Sequence, residues 1–109
     1  MGAVLIAEGE KMTVTKTQEG TTLTVVIEGR LDAKSSPELE EELGELEGVE
    51  DLIFDLKDTI YISSAGLRVF LNAQKIMDDR ESMVVRNANE DVLDIFKETG
   101  FLKILDVEV

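Results

Sequence analysis

Leu52-Ile53-Phe54-Asp55-Leu56, the connection Lys57 to Ile62, and then Ser63-Ser64-Ala65-Gly66-Leu67-Arg68 form the stretch that decides the fold. The first five residues are apolar except for Asp55 and do not alternate, the pattern of a central strand covered on both faces. Lys57 to Ile62 reads as a loop. From Leu67 to Met77 the period is helical: Leu67, Phe70, Leu71, Gln74 and Met77 share one stripe, with Val69, Ala73 and Ile76 beside it. So wide an apolar face is one that packs on a sheet. Strand, loop and helix in that order place Ser63 and Ser64 where a helix begins. There a hydroxyl can accept from unpaired backbone N–H groups, and there an anion is favoured by those N–H groups and the helix dipole. Capping is the commoner role of such a serine; carrying a phosphate is the sharper one.

Upstream, Met12 to Thr17 reads as a strand and Gln18-Glu19-Gly20 as a tight turn. Thr22 to Glu28 alternates, with Leu23, Val25 and Ile27 on one face and Thr24, Val26 and Glu28 on the other, which predicts a half-buried strand and an antiparallel hairpin. Gly29 ends it, and Arg30 to Lys34 connects to Ser35-Ser36-Pro37-Glu38, a helix start with a hydroxyl cap, proline at the first helical position and an acid in the first turn. Leu39, Leu43 and Leu46 then recur at i, i+4 and i+7 among glutamates, and Gly48 closes the helix. Its acidic face reads as solvated rather than as a recognition surface.

Downstream, Met83-Val84-Val85 is a short buried strand. Asn89 caps a last helix whose core face is Val92, Leu93, Ile95 and Phe96, and Gly100 suits the left-handed position after it. Phe101 to Val107 completes the order as a final strand. Strand-helix alternation behind a hairpin implies a small mixed α/β sheet, an N-terminal hairpin plus parallel strands joined by right-handed crossovers. The half-polar second strand places the helices mainly on one face. Residues 12–109 form one domain; residues 1–11 lack a clear period, and an edge strand and a loose tail fit them equally.

A chain of 109 residues has room for one domain with a core. Twenty-four acidic against eleven basic residues give a formal net charge of −13, which argues against nucleic acid as a partner and for solubility or a basic protein partner. No run approaches a membrane span, and Ala3 to Ala7 is too short for a signal-peptide core, so the cytoplasm is the expected compartment and no membrane partner is expected. Histidine and cysteine are absent, which excludes Ser-His-Asp or Cys-His chemistry and imidazole or thiolate metal sites. Asp32 lies just beyond a strand end and Asp55 at another, where functional groups of open α/β sheets gather, so sequence suggests two carboxylates and two hydroxyls along one edge. Asp32, Asp55 and Asp58 are the residues that could supply acid–base work or a hard-cation site. With no phosphate-binding glycine loop beside them, neither an enzyme nor a metal or cofactor is expected.

The run Asp55-Leu56-Lys57-Asp58-Thr59-Ile60-Tyr61-Ile62-Ser63-Ser64-Ala65-Gly66-Leu67 resembles the signature of the bacterial anti-sigma factor antagonists of the STAS domain family. In that family a strand ending in an acidic or amide residue leads through a loop into Asp/Ser-Ser-Ser/Thr/Ala-Gly-Leu. Gly29-Arg30-Leu31-Asp32 resembles the family's Gly-x-Leu/Ile-Asp, and Ile95-Phe96-Lys97-Glu98-Thr99-Gly100-Phe101 its C-terminal helix ending in Gly-Leu. The resemblance runs from about Met12 to Val107. It implies a partner switch: the unmodified antagonist binds an anti-sigma factor, often a serine kinase, and frees the sigma factor. Phosphorylation of the serine before x-Gly-Leu reverses binding and a serine phosphatase restores it. Carried over, the acceptor is Ser64, and the partner-binding residues are Asp32, Asp55, Ser63, Ser64, Ala65, Gly66, Leu67 and Arg68. Ser63 stands where many switching members have aspartate, and Ala65 where a hydroxyl residue is common. The second reading is a STAS-like ligand or scaffold module for a nucleotide, lipid or other anion that is never phosphorylated.

Overall fold

The computed structural model describes residues 4–8 and 12–108. Alternation of apolar and polar residues builds the first half. β1 (Val4–Glu8), β2 (Met12–Glu19) and β3 (Thr22–Leu31) are antiparallel neighbours. Glu19 pairs with Thr22, so the β2–β3 turn has two residues, and Gly20 supplies the positive φ (61°) such a turn needs. Then come α1 (Ser36–Leu43), β4 (Asp51–Asp55), β5 (Thr59–Ile62), α2 (Ser64–Met77), β6 (Ser82–Arg86), α3 (Glu90–Glu98) and β7 (Asp106–Val107). The sheet order is β1-β2-β3-β4-β6-β7, with β5 also on β3, and every pairing after the hairpin is parallel.

The buried residues form one cluster. Val25 and Ile27 of β3, Leu52 and Phe54 of β4 and Val85 of β6 face it from the sheet; Leu39 of α1, Phe70 of α2 and Phe96 of α3 face it from the helices. Phe70 joins the layers, meeting Phe54 edge-on at 4.8 Å between ring centroids and Phe96 at 6.2 Å. Each such pair contributes about 0.5–1.5 kcal/mol beyond area burial. All three helices therefore lie on one face of a mixed sheet, as the sequence implies.

Four readings change. β4 is not covered on both faces: Leu52 and Phe54 are buried, whereas Ile53 is half-buried on the open face, between Thr24 and Val84 of the neighbouring strands. An apolar residue there packs on its cross-strand neighbours, and that contact removes the alternation from the sequence. The segment read as a loop contains β5, which continues along β3 after a turn closed by the Thr59 N–H donating to the Leu56 carbonyl (3.0 Å). α1 ends at Leu43, because Gly44 (φ 55°) breaks the helix. Leu46 is buried from the following turn, not from the helix, and the Arg80 guanidinium holds that turn through the carbonyls of Leu46 and Val49. Finally, Phe101–Lys103 is one 3-10 turn, with the Phe101 carbonyl accepting from the N–H groups of Ile104 and Leu105, so the last strand shrinks to the two residues of β7.

Candidate functional site

The site is the join between the end of β3, the end of β5 and the first turn of α2. Leu31 and Ile62 pair across the two strand ends, and the Ser63 N–H donates to the Leu31 carbonyl (2.8 Å). Ser63 has extended backbone angles, and its Oγ accepts from the Gly66 N–H at 3.3 Å, which makes it the N-cap of α2. Ser64 is the first residue inside the helix; it is exposed, and its hydroxyl makes no hydrogen bond to any described residue. The two serines thus divide the work. Ser63 closes the turn and Ser64 faces solvent beside the backbone N–H groups of the first helical turn.

Gly66 explains why the turn sits so close to the sheet. A Cβ on it would fall 2.9 Å from Ile62 Cγ2 and 2.9 Å from Leu31 Cγ, inside van der Waals contact. Only hydrogen leaves room for α2 to press on the strand ends. Leu67 beside it is buried, Ala65 half-buried and Arg68 exposed.

Asp32 follows Leu31, whose carbonyl accepts from the Ser63 N–H, and so lies beside this turn in space. Its carboxylate organises the approach to α1: Oδ1 accepts from the backbone N–H groups of Lys34 (3.0 Å) and Ser35 (3.1 Å), while Ser35 Oγ lies 3.2 Å away. The Ser35 hydroxyl in turn accepts from the Asp32 N–H (2.9 Å) and donates to the Arg30 carbonyl (2.8 Å). Ser35 therefore does not cap α1 with its side chain, as its position in the sequence suggests; it ties β3 to the helix.

Asp55 is elsewhere. It pairs with Val26 on β3, whereas Ile62 pairs with Leu31, five residues further on. At about 3.3 Å per residue that is roughly 16 Å along the strand. Asp55 sits half-buried at the end of β4, between Val26 and Arg86, with Oδ1 accepting from the Lys57 N–H (3.0 Å). The structure brings Asp32, Ser63, Ser64, Ala65, Gly66, Leu67 and Arg68 together and leaves Asp55 outside. Among the described residues no three acidic side chains gather where a metal could be held.

Two residues that local sequence patterns do not tie to the site support it from below. Thr59, fully buried, donates from Oγ1 to the Ile27 carbonyl (2.6 Å), and its own carbonyl accepts from Asn89 Nδ2 (2.6 Å). Asn89 at the same time caps α3 by accepting from the Val92 N–H (3.0 Å). One asparagine so locks α3 to β5. The cap is legible from sequence; the second bond, between residues thirty positions apart, has no local signal.

No helix among the described residues is long and apolar enough to cross a membrane. The model of the STAS domain matches residues 13–109. The anti-sigma-B factor antagonist of Bacillus subtilis (strain 168) is 36% identical over 87 residues, 78% of this chain and 80% of that protein. An anti-sigma factor antagonist from Mycobacterium paratuberculosis superposes with a TM-score of 0.81 at 17% identity, covering 94% of this chain and 89% of the other. The anti-sigma factor antagonist SpoIIAA superposes at 0.76 in its unphosphorylated form, covering 88% of each chain at 13% identity. In its phosphorylated form it superposes at 0.68, covering 88% and 91% at 12% identity. At those identities the superpositions speak to the fold alone; the domain match over nearly the whole chain and the 36% relative speak to descent. The chain belongs to the STAS domain family, among the bacterial anti-sigma factor antagonists.

Proposed function

We propose that this chain works in the cytoplasm as an anti-sigma factor antagonist, a binding protein and not an enzyme, whose grip on its partner is switched by a phosphate on Ser64. The observation that carries the reading is the state of that hydroxyl: exposed, without a hydrogen bond to a described residue, and held at the first position of α2 by the Ser63 cap and the Gly66 contact. A kinase reaches such a hydroxyl without unfolding anything. The phosphate it adds brings about −1.5 to −2 charges, and the N–H groups at the start of α2 stabilise them. The fold is then retained while the surface presented to the partner turns strongly negative. Asp32 borders the same turn, so the modified edge would repel an acidic or nucleotide-bearing partner. The partner is an anti-sigma factor, in the simplest case itself the serine kinase, and a serine phosphatase resets the chain. Ala65 and Arg68 complete the contact, while Gly66 and Leu67, both buried, hold the turn beneath it; Asp55, far along β3, is not assigned to it.

Incubation with the anti-sigma-B factor of Bacillus subtilis and ATP, followed by peptide mass spectrometry, should find one phosphate, on Ser64. The Ser64→Asp chain should lose binding to the same protein in a pull-down. No phosphate at Ser64, or undiminished binding by Ser64→Asp, overturns the switch.

A further inference from the structure

Four large apolar residues stand exposed among the described residues, and Ile60, at 59%, stands out furthest. Its neighbour Tyr61 is also exposed, so β5 reads buried, exposed, exposed, buried from Thr59 to Ile62. A regular strand sends successive side chains to opposite faces, which would turn one of the two toward the core. The register explains the departure. Gly29 pairs with Thr59 and Arg30 with Tyr61, so Ile60 is an extra residue in the ladder, a β-bulge. Gly29 opposite it takes φ 93°. Bulges re-aim side chains next to functional sites, and this one turns an isoleucine out to water two residues before Ile62 gives way to the Ser63 cap.

Beside it, the Arg30 guanidinium lies 4.5 Å from the centre of the Tyr61 ring, a cation–π contact that orders both side chains in the free protein. Tyrosine and arginine fixed before binding lose little freedom on association, and they are among the residue types that dominate interface energies. We infer that Ile60 and Tyr61, braced by Arg30, form an apolar anchor that enters a pocket of the anti-sigma factor bound at the Ser64 edge; this rests on the reading of Ser64 as the switch. A lipid surface fits poorly: two side chains are a small insertion, and a net charge of −13 opposes approach to anionic headgroups. Continuity with the Ser64 turn through Ile62 and Ser63 names the occupant.

The test measures binding of the Bacillus subtilis anti-sigma-B factor by calorimetry for four variants, and phosphorylation kinetics with the same protein for the three that keep Ser64. Ile60→Ser and Tyr61→Ala should each weaken binding by roughly tenfold or more, the scale of an interface hot spot. They should raise KM for Ser64 phosphorylation with kcat unchanged. Because Ile60 is largely in water, its variant should melt with the wild type. Leu102→Ser, at a second exposed apolar position (42%) outside the site, should bind within about twofold of wild type. Ser64→Asp separates the two readings: if it does not bind while Ile60→Ser binds as wild type, the anchor fails and the switch stands. If Ser64→Asp binds as wild type, the switch fails. The anchor is also overturned if the wild-type chain does not bind, if Leu102→Ser loses as much affinity as Ile60→Ser, or if Ile60→Ser instead converts a dimer of this chain to monomer in sedimentation.

Discussion

The chain contains two Ser-Ser pairs, and each sits at the same two positions of a helix: Ser35 and Ser36 at the N-cap and first residue of α1, Ser63 and Ser64 at those of α2. Their fates differ. Ser35 and Ser36 are buried, and both hydroxyls donate to backbone carbonyls, Ser35 to Arg30 at 2.8 Å and Ser36 to Asp32 at 2.6 Å. Ser63 is half-buried and caps its helix, while Ser64 is exposed with a hydroxyl bonded to no described residue. The difference comes from the residues downstream of each pair. Buried Leu39 and the bonds from Ser36 to the Asp32 carbonyl draw the start of α1 down onto the turn of Asp32; Gly66 draws α2 down one residue beyond Ala65, and Ser64 is left on the outer side. A hydroxyl that is already spent on a carbonyl is structural. One that is held in place but unspent can be modified.

Adding the same charge to both helix starts breaks that comparison most sharply. Ser36→Asp puts a carboxylate, which cannot donate, against the Asp32 carbonyl in a site 2% exposed. An uncompensated buried charge costs about 3–5 kcal/mol, and the favourable helix-terminus term of up to about 1 kcal/mol does not offset it. At about 4–8 °C per kcal/mol for a domain of this size, the melting temperature should fall by more than roughly 10 °C. Next comes Ser35→Ala, which removes both the donor to the Arg30 carbonyl and the acceptor of the Asp32 N–H bond. A loss of about 1–3 kcal/mol is expected, read as a lower urea midpoint at unchanged m.

Gly66→Ala is smaller because two effects oppose. Alanine gains about 1 kcal/mol of helix propensity, but its Cβ meets Leu31 and Ile62 at 2.9 Å, and overpacking of this kind costs about 1–3 kcal/mol. The net should be a loss of about 1 kcal/mol in urea unfolding. Truncating the obstructing side chain in the same chain, Leu31→Ala, should give a double variant that loses less than the sum of the two single losses. A strictly additive pair would show that the contact at the turn is not what glycine is there for.

These contrasts also mark what the sequence could express. The alternation of Leu23, Val25 and Ile27, the Asn89 cap and the serine turn are local patterns, and the structure keeps each of them. β5 is four residues long and its alternation is broken by the bulge at Ile60, so its period never appears in the sequence. Missing β5 is also what misplaced Asp55: a strand ending at Leu56 looks like the rim of the sheet, whereas β5 carries the sheet on to Ile62 and takes the rim with it. Leu46 keeps a helical interval from Leu39 and Leu43 although Gly44 has already ended α1. The residues downstream of the two serine pairs act through tertiary contacts that no local period expresses, and a family signature, not periodicity, is what singles out Ser64 in the sequence.

The smallest expected effect on stability is therefore the most telling. Ser64→Asp puts the charge at the same helix position as Ser36→Asp, but in water, where desolvation is slight and the N–H groups and dipole of a fourteen-residue helix attract it. The expected change is a gain of about 0.3–1 kcal/mol, a rise of a few degrees in melting temperature. Salt should screen most of it away, since the Debye length shrinks from about 10 Å at 0.1 M to about 3 Å at 1 M. Opposite signs for one substitution at two equivalent positions would establish that the start of α2 tolerates negative charge where the start of α1 does not. Partner binding lost from a chain that has become no less stable would then be a change at the surface and not a failure of the fold. A melting temperature that falls with Ser64→Asp as it does with Ser36→Asp would remove that distinction, and with it the physical basis for a switch that leaves the fold intact.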